Sequence, residues 1–93
     1  MAASTRTLQE CRTTAAPDDV LRRAKQFFTQ RNPLYAAFLE KEGPSFATFR
    51  GQGGEEIAIA ASAKDGATLV TGSTYLFDMQ LARFFATLPG VAT

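Results

Sequence analysis

The amino-acid sequence predicts an α+β fold, a two-layer sandwich in which an antiparallel β-meander of three or four strands carries the N-terminal and C-terminal helices on one face. Two observations lead to this prediction. Large apolar residues recur at helical spacing in two stretches, one near each end of the chain. Between these stretches, short β-rich runs alternate with turn sequences. The chain has 93 residues, enough for one domain with a single modest core.

The N-terminal sixteen residues show no periodicity and few large apolar side chains. We therefore expect residues 1–16 to be a flexible tail and residues 17–90 to form the single domain. Because such a tail adds little to stability, removing residues 1–14 is expected to leave the melting temperature nearly unchanged.

The first helix is expected to begin at Pro17, because proline suits a first helical turn and the acids Asp18 and Asp19 favour its positive end. The dipeptide Asn32-Pro33 stops this helix, because a residue before proline avoids the α region. One face of the helix carries the apolar residues Val20, Leu21, Ala24, Phe27 and Phe28.

Residues 34–42 allow two interpretations. Asn32 as a cap, Pro33 at the first position and Gly43 beyond the end favour a helix. The turn sequence that follows, and the extended run beginning at Phe46, favour a strand. We prefer the strand, which gives the order α-β-β-β-β-α; a helix there would give α-α-β-β-β-α.

The later strands are expected at residues 46–50, 55–62 and 67–74. Asp65-Gly66 joins the last two and is a strong signal for a two-residue hairpin loop. That loop would pair Lys64 with Ala67 and place Ile59 opposite Gly72. The face that should receive both helices then carries Ile57, Ile59 and Val70.

The last helix is expected over residues 75–88, after a cap supplied by Ser73 or Thr74 and before Pro89-Gly90. A helix of this length is marginal by itself in water, so its apolar face must be covered by the sheet. That face is formed by Phe77, Leu81, Phe84, Phe85 and Leu88.

The composition excludes several kinds of chemistry. The sequence has no histidine, and its only cysteine is Cys11. Zinc sites of the Cys/His kind and Ser-His-Asp or Cys-His catalysis are therefore excluded. Glu55 and Glu56 are neighbours on an expected strand, so they point to opposite faces and cannot form a facing pair. We expect no catalytic residues, no metal and no cofactor, and hence a protein that is not an enzyme.

Charge and hydropathy narrow the range of partners. The formal net charge is +1, so no nucleic-acid partner is expected. No apolar run approaches the roughly 20 residues of a membrane span. A single cysteine cannot close a disulfide within the chain, which favours a reducing, cytoplasmic location. The basic face of the first helix is expected to be solvated and comprises Arg22, Arg23, Lys25 and Arg31.

Two partial resemblances follow from this layout. Helix, strands and helix, with Glu42-Gly43-Pro44 before a strand, resemble the double-stranded-RNA-binding domain. That family holds phosphates with lysines at the start of its last helix, and residues 72–78 contain none, so the resemblance implies no RNA binding here. The last strand and helix are similar to those of helix-grip lipid-binding domains, which are longer and enclose a cavity. Neither resemblance assigns a family.

A candidate interaction surface remains. Tyr75, Leu76 and Met79 extend the apolar surface of the last helix beyond its core face, and Ala58 and Ala60 form a strand face of small side chains. These residues favour a small non-enzymatic module for protein interaction or self-association, such as a homodimer. The alternative is a small domain that binds an apolar ligand between helices and sheet.

Overall fold

The structure, a computed structural model, describes residues 7–30, 37–51 and 55–90. Within these residues the chain forms a five-stranded antiparallel sheet and two helices, which confirms the α+β class. In chain order the elements are β1 (Thr7–Thr13), α1 (Pro17–Gln30), β2 (Phe38–Glu42), β3 (Phe46–Arg50), β4 (Glu56–Lys64), β5 (Ala67–Tyr75) and α2 (Asp78–Ala86).

The N-terminal strand β1 overturns the predicted strand count of three or four. The sheet order is β1-β5-β4-β3-β2, so Thr7–Thr13, which the sequence analysis placed in the tail, forms a fifth strand beside β5. The pairing runs without a break from Thr7 opposite Thr74 to Thr13 opposite Thr68. Thr13 also donates a hydrogen bond of 2.6 Å to the Pro89 carbonyl, so this segment is joined to the sheet and to the end of the chain.

The disputed segment 34–42 contains a strand, β2, over Phe38–Glu42, so the extended interpretation is confirmed for those residues. Residues 34–36 lie outside the described part of the chain, as does the predicted helix stop at Asn32-Pro33. The pairing of β2 with β3 shifts between Leu39 and Lys41, which marks a bulge in this edge strand.

The β4–β5 hairpin has the predicted register. Asp65 and Gly66 have φ angles of 54° and 80°, as a type I′ turn requires at both central positions. Lys64 therefore pairs with Ala67, and Ile59 lies opposite Gly72. The sheet face that carries Ile57, Ile59 and Val70 is called the inner face below, and the opposite face the outer face.

Helix α2 begins at Asp78, three residues later than the apolar pattern predicts. Thr74 and Tyr75 stay in β5, and Leu76 turns the chain with a φ of 76°. The predicted side-chain cap from Ser73 or Thr74 is wrong, because Phe77 holds the cap position and no side-chain hydrogen bond caps the helix. Thr74 instead bridges strand and turn: its Oγ1 donates to the Glu56 carbonyl at 2.7 Å and accepts the Phe77 amide at 3.2 Å.

Phenylalanine rings in the core connect the two helices with each other and with the sheet. Phe28 of α1 lies 5.3 Å from Phe49 of β3 and 5.3 Å from Phe84 of α2, measured between ring centroids. Phe27 contacts Phe84 at 5.6 Å while remaining partly exposed. All five residues that the sequence assigned to the apolar face of the last helix are buried. Leu81, Phe84 and Phe85 lie in α2, and Phe77 and Leu88 flank it.

Candidate functional site

The outer face of the sheet presents small side chains along its middle. Alternation along β4 turns Ile57 and Ile59 inward and therefore turns Ala58 and Ala60 outward. Across the hairpin, Ala58 lies opposite Ser73 and Ala60 opposite Thr71, while Thr48 of β3 adjoins Ala58 on the other side. These side chains are half-buried by their neighbours in the sheet.

Larger apolar side chains surround this strip of small residues. Leu8 of β1 is 70% exposed and Phe38 of β2 is 53% exposed, so both outermost strands carry uncovered apolar groups. Phe46, Leu69 and Tyr75 face the same side and are half-buried. The outer face therefore has small side chains at its centre and larger apolar side chains at its margins. This arrangement suits close approach by another flat surface.

A charged cluster occupies the β2–β3–β4 side of the outer face. Arg50 donates hydrogen bonds of 2.9 Å to Glu40 and 2.9 Å to Glu56. The hydrogen bond to Glu40, with the charges of both carboxylates, raises the pKa of Arg50 above its usual value. Beside this cluster lies an open hollow of about 320 Å³, lined by Glu40, Lys41, Thr48, Glu56, Ile57 and Ala58.

The structure divides the predicted interaction residues between two sides of the molecule. Ala58, Ala60 and Tyr75 lie on the outer face. Leu76 is 61% exposed at the end of β5. Met79, at 67% exposure, precedes the buried Leu81 by two residues and so lies on the opposite side of α2 from the core. Leu81 contacts Gly72, which lies opposite the inward-facing Ile59, so Met79 and the two alanines do not share one surface.

Of the basic face predicted for the first helix, Arg22, Arg23 and Lys25 are paired within the chain, and Arg31 lies outside the described residues. Asp19 accepts hydrogen bonds from Arg22 and, at 2.8 Å, from Arg23, and the bond from Arg23 is the main reason that the pKa of Asp19 lies below its usual value. Lys25 forms an ion pair of 3.0 Å with Glu42 of β2. These pairings leave little unpaired positive charge on α1 for phosphate groups.

Reactive groups are sparse in the part of the chain that the structure describes. Cys11 is 6% exposed on the inner face, and burial raises the pKa of its thiol, which lowers its reactivity as a thiolate. Residues 7–30, 37–51 and 55–90 contain no group of three or more potential metal ligands. No helix among those residues has the length and apolar character needed to cross a bilayer.

Sequence reasoning missed the exposed residues of β1. Leu8, Glu10 and Arg12 alternate with the less exposed Gln9, Cys11 and Thr13, a period of two that is typical of a strand. The signal was weak because the inward residues are small or polar and not large and apolar. Glu10 and Arg12 consequently lie on a sheet edge and not in a tail.

Comparison with known proteins yields no relative for this chain. No family model matches it, and neither a curated protein nor a solved structure is significantly similar.

Proposed function

We propose that this protein is a non-enzymatic self-association module whose outer sheet face binds the same face of a second copy. The proposal takes the fold as a two-layer arrangement with both helices on the inner face. One observation carries it: the strip of small side chains at Ala58 and Ala60, bordered by larger apolar groups, faces away from both helices. A flat sheet surface of that kind suits face-to-face packing of two sheets about 10 Å apart.

The size of the outer face supports a dimer. Strands lie ~4.8 Å apart and rise ~3.3 Å per residue, so five strands of five to nine residues present a face about 24 Å wide and about 17–30 Å long. Because side chains project from the sheet, the accessible area of the face is larger than the product of these two dimensions. It therefore approaches the ~800 Å² per partner of a standard protein interface.

The charge pattern favours a second copy over a strongly charged partner. The outer face carries both signs in near balance, so two copies related by a two-fold axis can place opposite charges together without net repulsion. The Arg50 cluster at one side is internally paired with Glu40 and Glu56. The charged residues of this face are Glu10, Arg12, Lys41, Glu40, Arg50, Glu56 and Lys64.

The test measures molar mass by light scattering over a range of concentrations. We expect the wild-type chain to exceed the monomer mass, and Ala58→Lys to lower its mass because a long charged side chain would hold the two faces apart. The matched control is Met79→Lys, which adds the same charge to an exposed residue on the other side of the molecule and should leave the mass unchanged. A monomer at all concentrations up to about 1 mM would refute the proposal, since that limit corresponds to only ~4 kcal/mol of binding.

A domain that binds an apolar ligand between helices and sheet is the second candidate. The helices and the sheet are joined there by rings in mutual contact, with centroids 5.3 Å apart for both Phe28–Phe49 and Phe28–Phe84. This close ring packing supports the first candidate. A thermal-shift screen against lipids and aromatic compounds separates the two: a ligand of this site would raise the melting temperature of the Ala58→Lys variant as much as that of wild type.

A further inference from the structure

The two edge strands of the sheet differ in how they resist pairing with another chain. Edge strand β2 contains a bulge between Leu39 and Lys41 and three consecutive charges, Glu40, Lys41 and Glu42. Bulges and edge charges are devices that prevent a sheet from adding another strand. Edge strand β1 has seven residues in unbroken register with β5, and it contains no bulge and no proline.

Strand β1 is also held firmly at both ends. Near its start, Thr7 donates a hydrogen bond of 2.8 Å to the Asp78 carboxylate, and Gln9 donates one of 3.3 Å to the Asp78 carbonyl. Near its end, Thr13 donates to the Pro89 carbonyl at 2.6 Å. These bonds fix β1 to the first residue of α2 and to the segment that follows α2, so its free edge is a pre-organised template for a further strand. Among the described residues, β5 is the only strand that pairs with β1.

The charges of β1 favour a second β1 strand as its partner and favour one register of pairing between the two. Glu10 and Arg12 are exposed on the outer face, and neither forms an ion pair with any described residue. When β1 pairs antiparallel with a second β1 and Cys11 lies opposite Cys11, Glu10 of each copy faces Arg12 of the other. A register centred on Glu10 or on Arg12 would instead oppose like charges, which is unfavourable.

We propose that the free edge of β1 binds β1 of a second copy, antiparallel and centred on Cys11, to form a continuous ten-stranded sheet. The two-fold axis is then perpendicular to the sheet, so both inner faces lie on one side and both outer faces on the other. This contact goes beyond the outer-face association and does not depend on it. Where both contacts form, two such ten-stranded sheets pack through their outer faces, and the assembly closes at four copies.

The test uses two charge reversals that are complementary. Glu10→Arg gives a β1 with two basic residues, and Arg12→Glu gives a β1 with two acidic residues. Each variant alone opposes like charges at both cross-strand positions, so its edge pairing should weaken by about tenfold or more. An equimolar mixture opposes unlike charges at both positions and should pair preferentially between the two variants.

Native mass spectrometry of the mixture, with one variant labelled with ¹⁵N, reads the composition of the dimers directly. Edge pairing is supported when mixed dimers clearly exceed half of the total and decline toward half as salt is raised, because exposed ion pairs are screened. Because Glu10 and Arg12 also lie on the outer face, the decisive mixture is the one made in the Ala58→Lys background, where that face is blocked. A statistical half of mixed dimers there, or no dimers at all, would overturn the edge proposal. Repeating the mixture in the Ala58→Lys background distinguishes the two interfaces, since blocking the outer face leaves the edge preference intact.

The double variant Glu10→Arg with Arg12→Glu provides the rescue. It restores unlike charges at both positions and should recover the homotypic edge pairing that each single variant loses. Circular dichroism and thermal unfolding verify that all variants fold, which is expected because both side chains are exposed and their partners on β5 are Thr71 and Leu69. Failure of the folded double variant to recover pairing would overturn the proposed register.

Discussion

Gly72 of β5 lies directly against Leu81 of α2, so closely that a Cβ built on Gly72 would stand 2.6 Å from Cδ1 of Leu81. Cδ1 of Ile59, the cross-strand neighbour of Gly72, would be 3.3 Å from the same position. A glycine in the middle of a strand normally weakens it, since there is no side chain to pack. Here the absent side chain makes room for Leu81, which is fully buried.

We expect Gly72→Ala to lower the free energy of unfolding by about 1–3 kcal/mol, because the added methyl overpacks the contact with Leu81. Urea unfolding followed by circular dichroism measures this change. The double variant Gly72→Ala with Leu81→Ala tests the cause, because the methyl would then enter the space that Leu81 vacates. If the two losses simply add in the double variant, the close contact is not responsible.

Thr74 is expected to be intolerant of the isosteric change to valine. Its hydroxyl donates to the Glu56 carbonyl and accepts the Phe77 amide, and the side chain is fully buried. Thr74→Val removes both hydrogen bonds without changing the shape, so we expect a loss of about 1–3 kcal/mol in urea unfolding. Thr74→Ser keeps the hydroxyl and is the matched control; a serine variant as unstable as the valine variant would contradict this account.

Leu76 is a non-glycine residue in the left-handed region, with a φ of 76° and 61% of its surface exposed. A left-handed backbone conformation costs about 1–2 kcal/mol for a residue with a Cβ, and glycine does not bear that cost. Glycine instead lowers stability by ~0.5–1 kcal/mol, because its unfolded chain has more conformational entropy to lose. We therefore expect Leu76→Gly to stabilise the monomer slightly, raising its melting temperature. Leu76→Ala keeps the Cβ and serves as control, so an equal rise with alanine would refute the backbone explanation.

Removal of residues 1–14 is now expected to destabilise the protein severely, contrary to the expectation from sequence. The deletion takes away β1, exposes the edge of β5 and removes the buried residues Cys11 and Thr13. Differential scanning calorimetry should show a large fall in melting temperature or no cooperative transition. A chain that begins at Thr7 keeps every described element and provides the control. An unchanged melting temperature after removal of residues 1–14 would contradict the pairing of β1 with β5.

Local signals in the sequence were sufficient for the hairpin and the helices. Asp65-Gly66 fixes its own turn type, and the register of β4 with β5 follows from that turn alone. The apolar spacing of α2 identified all its buried residues. The start of α2 was misplaced because the same apolar pattern continues into Tyr75 and Leu76, and a positive φ at a leucine has no sequence signature.

Non-local features could not be predicted in the same way. The β1 pairing joins residues about sixty apart, and its inward side chains, such as Cys11 and Thr13, do not display the apolar alternation that identifies a strand. The candidate surface was only partly foreseen. Ala58 and Ala60 were placed on one sheet face. Met79 was grouped with them although the last helix was expected on the opposite face, because spacing along a helix does not show whether a flanking side chain reaches past the edge of the sheet.

The pairing of Thr7 with Thr74 has a consequence for biosynthesis. During translation, β1 leaves the ribosome before the other described elements, and its partner β5 follows about sixty residues later. The nascent chain must therefore keep β1 unpaired while α1 and the intervening strands emerge, and the sheet is completed only after β5 has emerged. Long-range closure of this kind slows folding, because the entropy of the large loop is lost before the contacts form.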